Sequence, residues 1–83
     1  MADHLNPAPG AKLELYTKPD CPYCEQARDY YDKRGTIYVE HDAQNDREAR
    51  QRMFSYSGND PTVPAIVLDG RYVRSGWGDP PRG

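Results

Sequence analysis

Apolar and polar residues alternate through Leu13-Glu14-Leu15-Tyr16-Thr17, a pattern that predicts a first strand. A charged segment follows, in which Tyr23, Ala27, Tyr30 and Tyr31 recur at helical spacing. It predicts a helix from about Pro22 to Arg34, closed by Gly35 as the residue just past the cap. Thr36 to Glu40 or His41 is short, β-branched and aromatic, and reads as a second strand. Asn45 then suits an N-cap, with Glu48 three positions on as its capping-box partner. The helix it opens runs to about Tyr56, buries Ala49, Met53 and Tyr56, and ends at Gly58. After the loop Asn59-Asp60-Pro61, a third strand spans Ala65 to Leu68, Asp69-Gly70 signals a tight hairpin, and a fourth strand spans Tyr72 to Arg74.

The order is β-α-β-α-β-β. Its first βαβ unit is expected to be parallel with a right-handed crossover, and the hairpin adds two more strands. Residues 1–11 contain Pro7, Pro9 and Gly10 without periodicity and read as a flexible tail before one domain over residues 12–83. Ser75 to Gly83 holds too many turn formers for a helix.

Composition changes the picture in one respect. Leu, Ile, Val and Phe number only eleven of 83 residues, below the roughly 20% at which chains tend to disorder. A net charge of −2 and the apolar area of seven Tyr and Trp77 point instead to a folded domain with a small, Tyr-rich core. The acidic balance leaves no footprint for nucleic acid. No apolar run suggests a secretory signal or a membrane span, so the expectation is a cytoplasmic protein in a reducing compartment.

The chemistry is concentrated at Cys21-Pro22-Tyr23-Cys24, which holds both cysteines of the chain. The pair falls where the first strand gives way to the first helix. Cys21 stands at the N-cap and Pro22 at the first helical position, where a missing N–H costs nothing. The free amides and dipole of the first turn then favour negative charge on the Cys21 sulfur, and Lys18 adds a positive charge nearby. Cys24, one turn in, is placed to attack a mixed disulfide formed on Cys21. A Cys-x-x-Cys pair in a reducing compartment is either redox-active or metal-binding. Four-coordinate zinc needs two further ligands, and only His4 and His41 are on offer, so redox chemistry is expected and no metal.

The element order, the Cys-x-x-Cys at a helix start and Thr62-Val63-Pro64 ahead of the third strand resemble the thioredoxin fold: α/β, a four-stranded mixed sheet with two helices. More narrowly, Tyr16 to Cys24, Ser57-Gly58, Thr62-Val63-Pro64 and Asp69-Gly70 resemble the glutaredoxins, and Pro-Tyr between the cysteines is the pattern of their dithiol type. The resemblance implies a thiol–disulfide oxidoreductase that uses glutathione as reductant and co-substrate and acts on disulfide-containing proteins. Cys21 would attack and Cys24 would resolve. Lys18 would hold a glutathione carboxylate, Tyr23 would flank the tripeptide, and Thr62, Val63 and a cis Pro64 would offer it a backbone edge. Gly76, Trp77 and Asp79 would complete the far wall, with Trp77 serving either as ligand contact or as core cover. Arg47 and Arg50 stand where relatives hold a group for the glycine carboxylate, or else belong to a plain charged helix face.

Two departures from the family pattern stand out. Ser75-Gly76 with Asp79 replaces a Gly-Gly-acidic segment and needs a one-residue insertion before it. With Trp77 it also resembles redoxins that take electrons from thioredoxin reductase and serve ribonucleotide reductase. In addition, the third helix usual in the family is not predicted. One sheet face is then expected to be under-covered unless the tail or a second copy shields it, giving a monomer or weak homodimer. A glutathione-bridged iron–sulfur carrier is the reading of a different class.

Overall fold

The computed structural model describes residues 10–78 and 80–83. The flexible tail expected over residues 1–11 and the role expected of Asp79 therefore fall largely or wholly outside the described residues. The elements are β1 (Leu13–Thr17), α1 (Pro22–Lys33), β2 (Tyr38–Asp42), α2 (Arg47–Ser57), β3 (Ala65–Leu68) and β4 (Arg71–Ser75). They form one four-stranded sheet in the order β2-β1-β3-β4. β1 runs parallel to β2 and antiparallel to β3, and β3 pairs antiparallel with β4. This is the mixed sheet of the thioredoxin-like fold.

Alternate residues of a strand point to opposite faces, and the core divides accordingly. Leu13, Leu15 and Ile66 pack with Tyr31 of α1 on one face. Tyr16, Ala65 and Val67 pack with Ala49 and Met53 of α2 on the other. The buried stripe of α1 is Cys24, Ala27 and Tyr31, with Tyr23 and Tyr30 only half-buried beside it. The α1 face is not left bare. Trp77 stacks edge-on against Tyr30 and Tyr31, with ring centroids 5.2 and 5.8 Å away. Among the described residues, no helix is long and apolar enough to cross a membrane.

Several boundaries differ from the sequence reading, each for a physical reason. α1 ends in a Schellman arrangement: Gly35 donates to the Asp32 carbonyl and Thr36 to the Tyr31 carbonyl. Thr36 is thus spent on closing the helix, and β2 begins at Tyr38, where its register with Leu13 starts. The α2 cap is Asp46, not Asn45. The Asp46 carboxylate accepts from the Ala49 amide at 3.2 Å, while Asn45 is taken up by hydrogen bonds to Asp42. Glu48 consequently sits at the second helical position. At the hairpin, Asp69 and Gly70 both have positive φ, as a type I′ turn requires. β4 carries a bulge: Ile66 pairs with Arg74 but Val67 pairs with Tyr72, so Val73 is one residue extra.

Candidate functional site

The first turn of α1 is built from its cap. Cys21 is extended (φ −102, ψ 112), Pro22 opens the helix, and the Cys21 sulfur accepts from the Cys24 amide at 3.4 Å. A sulfur held against a helix N-terminus is stabilised whenever it carries negative charge, as attacker or as leaving group. Both thiols are free, Cys21 4% exposed and Cys24 fully buried. Burial pushes the Cys24 thiol up to about 12, and its hydrogen bond with Cys21 adds to the effect. The backbone amide of Lys18 works in the opposite direction and does not win. Cys24 is therefore kept protonated at neutral pH, whereas it is the Cys21 sulfur that is held against the helix N-terminus, and in this the two are unequal.

The loop facing this turn is fixed by side chains. The Ser57 hydroxyl donates to the Asp60 carbonyl at 2.9 Å and accepts from the Asp60 amide at 3.1 Å. Asp60 in turn accepts from the Thr62 amide at 2.9 Å, and its hydrogen bonds with Thr62 hold it below the usual carboxylate range. The loop enters a cis Val63–Pro64 bond. Val63 and Cys21 belong to one packed cluster, against which Tyr23 also lies. Pro64 is fully buried, and its carbonyl accepts from the Gly76 amide at 2.8 Å. The bulge at Val73 absorbs the one-residue insertion: beyond it, Ser75 is back in register with Ala65 and Gly76 meets Pro64.

An open cavity of about 210 Å³ borders Val63. Met53, Phe54 and Val63 form its apolar wall, and Lys18, Gln44 and Arg50 its polar rim. That lining has two cations and no carboxylate, so it suits an anionic ligand. A second cavity, about 310 Å³, lies across Lys18 beside Thr17, Arg28 and Glu40. There the cation is already neutralised, since Arg28 pairs with Glu40 at 2.8 Å and Thr17 donates to the same carboxylate. Lys18 separates the two spaces.

The structure thus gathers Cys21, Cys24, Lys18, Tyr23, Thr62, Val63 and Pro64 around one end of the sheet, with Gly76 joined to Pro64. Trp77 is placed elsewhere, on the Tyr30–Tyr31 cluster of the α1 face. Asp79 lies outside the described residues. The sequence reading did not single out Gln44, Phe54 or Asp60. Asp60-Pro61-Thr62 carried a usable signal, because an Asp two residues before an amide forms an Asx turn. Among the described residues, no three His, Cys, Asp or Glu side chains cluster as metal ligands.

A glutaredoxin family model matches residues 13–73. The chain belongs to the glutaredoxin family. Glutaredoxin 3 of Escherichia coli K12 is 33% identical over 63 residues, covering 76% of this chain and 75% of that protein. Glutaredoxin 1 of Rickettsia prowazekii is 37% identical over 60 residues, covering 71% of this chain and 63% of the relative. Among solved structures, the thioredoxin-like protein BC3987 superposes with a TM-score of 0.67 at 33% identity, over 76% of this chain and 85% of that one. A buckwheat glutaredoxin–glutathione complex matches in fold, with a TM-score of 0.64 at 20% identity, over 76% of this chain and 59% of that one. The family is one of thiol–disulfide oxidoreductases, and this member keeps both cysteines at the helix start.

Proposed function

We propose that the chain reduces protein disulfides and glutathione mixed disulfides, with glutathione as its electron donor. The observation that carries this reading is the inequality of the two sulfurs, packed in one cluster with Val63, which borders a cavity rimmed by Lys18 and Arg50. Glutathione bears two carboxylates, and the carboxylate-free rim offers them cations, while the Val63 edge offers its peptide a strand to pair with.

The chemistry follows from the pair. The Cys21 thiolate attacks one sulfur of the substrate disulfide, that S–S bond breaks, and the leaving thiolate takes up a proton. With a glutathione mixed disulfide, the protein thiol leaves and glutathione stays on Cys21. A second glutathione attacks its sulfur, giving glutathione disulfide and returning Cys21. With a protein disulfide, Cys24 loses its proton, attacks the Cys21 sulfur and releases the reduced protein. Two glutathione molecules then reduce the Cys21–Cys24 disulfide and leave as glutathione disulfide. The setting is a reducing, cytoplasmic one, with the protein acting as a monomer or weak homodimer.

The test is turnover of a glutathione mixed disulfide with glutathione as the only reductant, compared with thioredoxin reductase as donor. Activity with glutathione is expected, and Cys21→Ser should abolish it. Turnover only with thioredoxin reductase would replace the donor. Full activity in Cys21→Ser would sink the mechanism. Cys24→Ser should keep turnover of the mixed disulfide and lose reduction of protein disulfides. A visible absorption band in anaerobically purified protein would favour the iron–sulfur reading instead.

A further inference from the structure

We propose that residues 80–83 form a strap that folds back over the Val63 edge and competes with the incoming peptide for it, so that the site opens only when the strap lifts. This rests on the reading that Val63 is where glutathione lies.

The strap is anchored by reciprocal backbone hydrogen bonds. The Trp77 amide donates to the Arg82 carbonyl at 2.7 Å, and the Arg82 amide to the Trp77 carbonyl at 2.9 Å. The returning chain runs directly over Gly76. A β-carbon there would stand 2.9 Å from the Arg82 nitrogen and 3.0 Å from the Pro81 β-carbon, and Gly76 has φ +90. Gly76 is itself tied to the Pro64 carbonyl, so the strap is laid across the segment that adjoins the cis proline. At Gly83 it reaches the edge itself. A β-carbon at Gly83 would collide with the Val63 carbonyl oxygen and lie 2.6 Å from the Thr62 methyl carbon.

Only a residue without a side chain fits that seat. Among the described residues, neither the amide nor the carbonyl of Val63 makes a backbone hydrogen bond, so both are left for a partner strand. The carbonyl is nevertheless covered by Gly83. A tripeptide pairing with Val63 has to displace it. The strap is lightly held, because residues 80–83 are exposed and the Trp77–Arg82 pair supplies its backbone hydrogen bonds to the body. A site closed most of the time by such a segment binds with an affinity reduced by its open fraction, about tenfold for one open a tenth of the time.

Two variants test this by different routes. Gly83→Val puts a branched side chain where the Val63 carbonyl stands. Arg82→Pro removes the amide that reaches Trp77. Two readouts are taken: the amide resonances of Thr62 and Val63, and KM and kcat for a glutathione mixed disulfide. The expected result is that both variants move those two resonances and lower KM, by about three- to tenfold if the strap is closed for most of the time. kcat should stay within error. An unchanged KM in both variants, or resonances that do not move, overturns the strap while leaving the oxidoreductase reading intact. If neither wild type nor variants turn over the mixed disulfide, the function proposed above fails and the strap's competition fails with it.

Discussion

The amide of Cys24 donates to the sulfur of Cys21 across 3.4 Å, while the sulfur of Cys24 is fully buried. One residue thus supplies the hydrogen bond that steadies its neighbour's charge and holds its own thiol in reserve. With Cys24 pushed up to about 12 by burial, alkylation below pH 9.0 should label Cys21 alone. Peptide mapping by mass spectrometry checks this. Equal labelling of both cysteines at neutral pH would contradict the inequality on which the mechanism stands.

Alkaline stability follows from the same burial. Cys24 is raised from 9.0 to about 12, and burial raises Tyr31 from 10.0 to about 12. In the unfolded chain both release their protons at the lower values. Between those limits the unfolded state binds fewer protons than the folded one, so stability falls as pH rises. Below pH 9.0 both states keep these protons, and the two groups contribute no slope. Urea midpoints measured across this range should be level up to about pH 9.0 and then decline. A flat profile to the alkaline limit would refute the burial of these groups.

Tyr31 carries a second expectation. Its ring is fully buried against Leu13, Leu15 and Ile66, yet among the described residues its hydroxyl has no hydrogen-bond partner. A buried unsatisfied group costs about 1–3 kcal/mol, and Tyr31→Phe removes it while keeping the ring. The variant should be more stable than wild type by about 1 kcal/mol at neutral pH. It should also lose part of the alkaline decline. Destabilisation in chemical denaturation would mean that the hydroxyl is satisfied after all.

Most of this architecture is legible in the sequence because short-range chemistry sets it. The alternation at Leu13–Thr17, the Pro22 helix start, the Gly35 stop and the Asp69-Gly70 turn are local signals, and the structure follows them. What was not legible depends on distant partners. Asn45 and Asp46 are equally good caps in isolation, and the choice is made by Asp42, which occupies Asn45. The start of β2 is set by its register with β1. The bulge at Val73 exists only through pairing with Ile66 and Val67. At the site, the helix-start cysteines and the Val63–Pro64 turn were readable, since each rests on a few adjacent residues. The return of residues 80–83 to Val63 was not, because Pro80-Pro81 reads only as a turn and the contact is long-range.

The capping assignment can be separated by mutation. Asp46→Ala removes the acceptor of the Ala49 amide and should cost about 0.5–2 kcal/mol. Asn45→Ala loses only an exposed side-chain hydrogen bond to Asp42 and should cost much less. Thermal unfolding of the two variants side by side decides it. A larger loss from Asn45→Ala would return the cap to the earlier residue.

Lys18 is exposed and stands on the divide between two cavities, and its partners differ on the two sides. Toward Arg28 and Glu40 it faces an ion pair already formed and the Asp42 carboxylate, whose oxygens accept from Gln44 and Asn45. Toward Val63 it shares a rim with Arg50 and no carboxylate, so its charge is available to a ligand. The Arg50 guanidinium is partly engaged by the Gln44 carbonyl at 3.1 Å, which leaves Lys18 the more available cation. Lys18→Ala should therefore raise KM for a glutathione mixed disulfide several-fold, with a smaller change in kcat, because a carboxylate contact is made alike in ground and transition states. The effect should shrink with added salt, since exposed charges are screened within about 8 Å at physiological ionic strength. Lys18→Arg should restore most of it. A KM unchanged in Lys18→Ala at low salt would remove Lys18 from the site and leave Arg50 as its anion anchor.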